Sequence, residues 1–129
     1  MKKLSVLLVE DDSDDAEIAV WTLKKIGLEN IVVAQDGLEA VRMLFGDEAS
    51  AAGAMSRPDI IILDMRLPRI DGLDVLRRIR ADERTREIRV YALTSSTDPY
   101  DRQVCAELGV RAFFSKPLKE KAILNLGEF

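Results

Sequence analysis

The sequence predicts an α/β fold, a five-stranded parallel sheet built from five βα units in succession. Three observations predict it. Short β-branched or aliphatic runs alternate with stretches of helical period along the chain. One run, Ile60-Ile61-Ile62-Leu63, is apolar at every position, as a central strand covered by helices on both faces must be. Gly27, Gly46 and Gly109 stand where three of the helices should stop. Such alternation implies parallel strands joined by right-handed crossovers, a doubly wound sheet.

The first strand is Leu4–Val9, and acids begin at Glu10. The helix after it carries Ala16, Ala19, Val20, Leu23 and Ile26 on one face, and Asp14-x-x-Glu17 resembles a capping box at its start. Strand Ile31–Ala34 leads to a helix over Gly37–Phe45 with Ala40, Val41 and Leu44 facing inward. A small-residue stretch, Ala49-Ser50-Ala51-Ala52-Gly53-Ala54, then makes a longer connection than αβ units usually need. Strand Ile60–Leu63 precedes a helix over Gly72–Ala81 built on Leu73, Leu76 and Ile79. Strand Arg89–Leu93 precedes a helix over Pro99–Leu108, and strand Arg111–Phe114 precedes a last helix from Leu118 onward. That helix carries Ala122, Ile123 and Leu126, and with Leu118 and Phe129 it has more apolar residues than one short core-facing stripe needs. Ile123 and Phe129 are therefore expected to lie partly exposed.

Composition excludes several functions. A chain of 129 residues is expected to form a single domain, 1–129. Lys and Arg number 19 against 23 Asp and Glu, a net charge of −4, which speaks against nucleic-acid binding. With one cysteine there is no intrachain disulfide, and with no histidine there is no Ser-His or Cys-His catalysis and no histidine phosphodonor. No apolar run approaches the ~20 residues a membrane-spanning helix requires. The N-terminus lacks a secretory signal, so a cytoplasmic protein is expected.

Ligands of an open parallel α/β sheet gather at the carboxyl ends of its strands. Here those ends read Glu10-Asp11-Asp12, Asp64, Thr94-Ser95-Ser96-Thr97 and Ser115-Lys116-Pro117. Carboxylates are hard oxygen ligands suited to Mg²⁺, while a hydroxyl and an ammonium suit phosphoryl oxygens. The pattern points to phosphoryl chemistry at a carboxylate nucleophile.

Leu8-Val9-Glu10-Asp11-Asp12, Leu63-Asp64-Met65 with Leu67-Pro68 and Asp71-Gly72, Leu93-Thr94-Ser95 and Lys116-Pro117 together resemble the receiver domain of two-component response regulators. The resemblance covers essentially the whole chain. It implies the flavodoxin-like strand order 2-1-3-4-5 and a phosphorylation-activated signalling switch with no enzymatic activity beyond its own phosphorylation and dephosphorylation. Asp64 becomes the phosphoacceptor. Asp11 becomes a direct Mg²⁺ ligand, Glu10 reaches the metal through water, and Asp64 and the backbone carbonyl of Arg66 complete the protein ligands. Thr94 should bond the phosphoryl group, Lys116 should pair with it through a cis Lys116–Pro117 peptide, and Phe113 falls at the switch-aromatic position. Phe113 departs from the commoner tyrosine, and Arg66 and Ser96 occupy positions that tune dephosphorylation in the family.

The remaining candidates read as structural. Asp14 and Asp15 suit a helix start, Asp12 falls between the two roles, and Asp71-Gly72 opens the third helix. Of Phe113 and Phe114, one points into the core and one out. Arg77, Arg78, Arg80, Arg84, Arg86 and Arg89 read as a solvated face and loop, and Cys105 as a packing residue. No output domain is expected after the last helix, so the output is a protein–protein event. The resemblance implies a histidine kinase or phosphotransfer protein as partner, and details of the sequence resemble stand-alone regulators of phytochrome-type kinases. A homodimer through helix four, strand five and helix five is a further expectation. Two alternatives stand: a Mg²⁺-dependent phosphohydrolase with an aspartyl-phosphate intermediate, against which Arg66 speaks, and a degenerate receiver that binds partners without phosphorylation.

Overall fold

Strands and helices alternate through the computed structural model, which describes residues 3–46, 57–94 and 99–127. The strands are β1 (Ser5–Val9), β2 (Asn30–Ala34), β3 (Ile60–Asp64), β4 (Arg89–Thr94) and β5 (Phe113–Ser115). The helices are α1 (Ser13–Lys25), α2 (Gly37–Phe45), α3 (Gly72–Ala81), α4 (Pro99–Glu107) and α5 (Glu120–Leu124). All strand pairs are parallel and the order is β2-β1-β3-β4-β5. The predicted fold and strand order are thus those observed.

Strand composition follows strand position. All of β3 is buried, so both faces of it must be apolar. Edge strand β2 alternates instead, with Val32 exposed and Ala34 buried. Successive side chains divide between two cores. Leu7, Val9, Ile61, Leu63, Val90 and Ala92 face α2, α3 and α4, where Leu44, Leu76, Ile79 and Cys105 pack. Val6, Leu8, Ile60, Ile62, Tyr91, Leu93 and Phe114 face α1 and α5, where Ala19, Leu23 and Ile123 pack. Phe114 stacks on Tyr91 with ring centroids 5.7 Å apart, while Phe113 lies against the other core and is only half-buried.

Gly27, Gly46 and Gly109 have positive φ, as stop signals after α1, α2 and α4 require. Gly72 answers a different need. A Cβ there would strike the Asp64 carbonyl oxygen and the Met65 backbone, so only glycine lets α3 start this close to the end of β3.

Three local expectations are corrected. The cap of α1 is Asp12, whose carboxylate accepts the Asp15 N–H at 2.9 Å; Asp14 is already inside the first turn, so Asp14-x-x-Glu17 is no capping box. Ile123 is fully buried, because α5 begins only at Glu120 and turns that residue onto α1 and the sheet; the exposed apolar residue of this helix is Leu124, at 53%. Phe129 lies outside the described residues, as do Ser95–Thr97 and the small-residue connection at 49–54. Arg80 is not part of a solvated face. Its guanidinium donates to the carbonyls of Leu108 (2.7 Å), Arg86 (2.9 Å), Ile88 (2.8 Å) and Gly109 (3.3 Å), tying the end of α4 to the loop before β4. Its two neighbours are used at the surface: Arg77 pairs with Asp74 at 3.3 Å and Arg78 lies over the Phe45 ring.

Candidate functional site

Parallel register brings the ends of four strands to one rim. Val9 lies beside Leu63, Asp64 beside Leu93, and Thr94 beside Ser115, so the residues that follow each strand share one crevice. Glu10 comes directly after β1 and is 1% exposed, its backbone N–H held by the Ala34 carbonyl at 3.0 Å. Asp64 ends β3 and is also 1% exposed. Thr94 ends β4 and is buried, and Lys116 follows β5 through a cis peptide to Pro117.

The carboxylates and the lysine are tightly joined. Lys116 Nζ donates to Asp64 Oδ2 at 2.7 Å and forms an ion pair with Glu10 Oε1 at 2.7 Å. Asp64 Oδ1 accepts the Arg66 N–H at 2.9 Å, and Glu10 Oε2 accepts the Asp12 N–H at 3.1 Å. The turns after β1 and β3 thereby aim their acids inward. Asp11 is exposed, yet one oxygen each of Glu10, Asp11 and Asp64 lies within 4.8 Å of the others.

Electrostatics of this group are unbalanced. Burial pushes the Glu10 carboxyl up to about 7, and the Lys116 ammonium and the Asp12 N–H only partly offset it, while Asp64 adds repulsion. Burial alone would lower the Lys116 pKa, but its bonds to Asp64 and Glu10 outweigh that and raise it above the ordinary lysine value. Glu10 Oε1 is buried and faces the Lys116 ammonium at 2.7 Å. An oxygen of this kind, beside two further carboxylates and only one cation, fits a small divalent ion with a preference for hard oxygen ligands.

The other candidates are arranged around this centre. Arg66 turns its side chain away from Asp64, and Nη2 donates to Asp101 Oδ2 of α4 at 3.1 Å. Phe113 carries the Arg102 guanidinium over its ring, 4.9 Å from the centroid. Asp71 precedes α3 but makes no side-chain capping bond. Cys105 is fully buried with Sγ 3.2 Å from Met65 Sδ, directly behind the turn that bears Asp64. Sequence reading missed Asp15, whose Oδ2 is 3.6 Å from Lys116 Nζ. Its place in the first turn of α1, at the same rim as Asp11, was the available signal. The Arg66–Asp101 and Arg102–Phe113 contacts had no local signal at all.

The model of the response regulator receiver domain matches residues 6–127. The chain belongs to this family. It is similar to solved structures of two bacteriophytochrome response regulators. AtBRR is 38% identical, with 100% of this chain and 96% of that one covered and a TM-score of 0.80. RtBRR is 37% identical, with 99% and 80% covered and a TM-score of 0.82. The chemotaxis protein CheY1 of Helicobacter pylori is 30% identical, with 96% of this chain and 98% of that protein covered. The DNA-binding response regulator MtrA of Mycolicibacterium paratuberculosis is 31% identical over 92% of this chain, which spans about half (47%) of its length. Receiver domains are signalling proteins that interact with histidine kinases or phosphotransfer proteins, and a phosphorylation-dependent switch is their usual function. They generally bind Mg²⁺ at an acidic pocket, and in this receiver the acidic cluster is Glu10, Asp11 and Asp64. Among the described residues no helix is long and apolar enough to cross a membrane.

Proposed function

We propose that Asp64 is the phosphoacceptor of this receiver and takes its phosphoryl group from a phosphohistidine. The observation that carries the reading is the Lys116 ammonium, 2.7 Å from both Asp64 and Glu10 at a rim that also exposes Asp11. Asp11, Glu10, Asp64 and the Arg66 carbonyl would hold a Mg²⁺ ion, which when bound offsets negative charge on the phosphoryl oxygens. A carboxylate oxygen of Asp64 attacks phosphorus in line. The new O–P bond forms as the P–N bond breaks, and the electron pair of that bond returns to the imidazole nitrogen. Lys116 passes from the carboxylate to the phosphoryl oxygens and neutralises part of their charge. Thr94 donates its hydroxyl to the same group, and Phe113 moves into the space that Thr94 leaves. Hydrolysis of the acyl phosphate resets the switch, and the domain catalyses nothing beyond these two steps on itself.

The donor is assigned to the phytochrome type on the likeness to AtBRR and RtBRR, and the place of action to the cytoplasm, where such a relay operates. The face remodelled by the switch is α4, β5 and α5, and we assign a homodimer to it. Its large exposed apolar residue, among those described, is Leu124 on α5, at 53%. Ile123, its neighbour on α5, belongs to the core and is not part of that face. Sedimentation of the wild type and Leu124→Lys, each with and without phosphorylation, tests the dimer; a wild type that stays monomeric in both states across a concentration series removes it. The acceptor itself is tested by incubation with Mg²⁺ and acetyl phosphate followed by intact mass. Gain of one phosphoryl group that is lost in Asp64→Asn is expected, and an unchanged gain in that variant would overturn the assignment.

A further inference from the structure

We propose that Arg66 and Asp101 form a latch on α4 in the unphosphorylated protein, and that a phosphoryl group on Asp64 opens it by taking over Arg66. The proposal rests on the reading of Asp64 as phosphoacceptor and adds how that residue reaches α4.

The backbone of Arg66 is tied to the acceptor, because its N–H donates to Asp64 Oδ1 at 2.9 Å. Its side chain nevertheless points elsewhere. Nη2 donates to Asp101 Oδ2 at 3.1 Å, across 35 residues of sequence and onto the first turn of α4. Competition explains the choice. Asp64 Oδ2 already receives the Lys116 ammonium at 2.7 Å and Oδ1 the Arg66 amide, so the Asp64 carboxylate has both oxygens engaged. The Asp101 side chain is only 17% exposed, whereas that of Arg66 is 62% exposed and can swing without unpacking a core.

Neighbouring residues give the latch its reach. Arg102, next to Asp101, lies over the Phe113 ring at 4.9 Å. The first turn of α4 is therefore held at two points, to the β3–α3 turn through Asp101 and to β5 through Arg102. Phosphorylation replaces the Asp64 carboxylate by a group that carries about two negative charges and three strong acceptor oxygens. A guanidinium binds such oxygens bidentately and in preference to a single carboxylate oxygen. With its backbone tethered beside the acceptor, Arg66 is the arginine that the phosphoryl group reaches first. Its departure deprives Asp101 of that partner and loosens α4 together with the contact on Phe113.

Amide hydrogen exchange over residues 99–107 tests this in the full chain, with Mg²⁺ and acetyl phosphate as the phosphorylating mixture and intact mass as the measure of loading. In the unphosphorylated protein, Arg66→Ala and Asp101→Asn should each speed exchange about two- to fivefold, the range of an exposed ion pair. The double variant should be no faster than either single one. Phosphorylation should bring the wild type to the level of the variants and leave the variants unchanged. Loss of the phosphoryl group should be speeded by Arg66→Ala and by the double variant, and should stay close to wild type in Asp101→Asn, which leaves Arg66 on the phosphoryl oxygens. Additive effects of the two substitutions, or exchange equal to wild type in both, with normal phosphoryl gain on Asp64, would overturn the latch alone. A wild type that gains no phosphoryl group overturns the acceptor reading and the latch with it.

Discussion

At the carboxyl ends of the strands, Lys116 lies 2.7 Å from Asp64, 2.7 Å from Glu10 and 3.6 Å from Asp15. At the amino ends of β4 and β5, Arg80 donates to four backbone carbonyls, those of Leu108, Gly109, Arg86 and Ile88. Both cations are partly buried and both join distant segments. Their partners differ in kind. A carbonyl has a fixed place and no proton to gain, so Arg80 is a static staple. A carboxylate can be protonated, can bind a cation or can accept a phosphoryl group, so Lys116 is a cation whose partners can change. The same fold thus keeps one end fixed and the other responsive by the choice of acceptor alone.

The largest expected effect lies at the responsive end. Asp64→Asn should reduce phosphoryl gain from acetyl phosphate to background by intact mass, because the amide oxygen is a far poorer nucleophile. Phosphoryl gain at another residue of that variant would break the comparison.

Arg80→Met should cost about 2–4 kcal/mol by urea unfolding, since it strands several carbonyl groups that a charged donor had satisfied. Because no titratable partner is involved, the loss should be the same at mildly acidic and mildly alkaline pH. A pH-dependent loss would show that Arg80 answers to a carboxylate after all.

Lys116→Met should behave in the opposite way. In metal-free protein it should cost about 1–3 kcal/mol at alkaline pH, where Glu10 and Asp64 are left facing each other as anions. The cost should shrink as pH falls and Glu10 takes up a proton, and it should shrink on addition of Mg²⁺. On the proposed reading, in which the lysine pairs with the phosphoryl group and not with the cation, switching should suffer more than metal affinity in this variant.

Glu10 provides the smallest and finest test. Its folded-state pKa of about 7 lies above the ordinary 4.5. The folded state therefore binds the proton more tightly than the unfolded chain does. This contribution to stability is complete below the unfolded value and is lost as pH rises through about 7. Metal-free Glu10→Gln should remove that slope and gain about 1–2 kcal/mol over wild type at alkaline pH. Parallel stability curves for the two proteins between mildly acidic and mildly alkaline pH would show that Glu10 is not held up by its surroundings.

What the sequence determined by itself was local or periodic. The order of elements follows from alternating apolar periods, and the all-apolar run at Ile60–Leu63 marks its strand as central because burial on both faces allows no polar position. Glu10, Asp11, Asp64, Thr94 and Lys116 were legible as one group because parallel strands bring their carboxyl ends to a single rim, whatever the loops between them do. Tertiary structure alone decided which partner each long side chain takes. Arg80 meets the Leu108 carbonyl across 28 residues, Arg66 meets Asp101 across 35 and Lys116 meets Asp64 across 52. Nothing in an arginine-rich stretch separates the one that staples carbonyls from those at the surface. Likewise, the apolar surplus of α5 does not tell Ile123 from Leu124. Neighbours on a helix differ by about 100° in direction, and only the packing of α5 on α1 and the sheet decides which of them is buried.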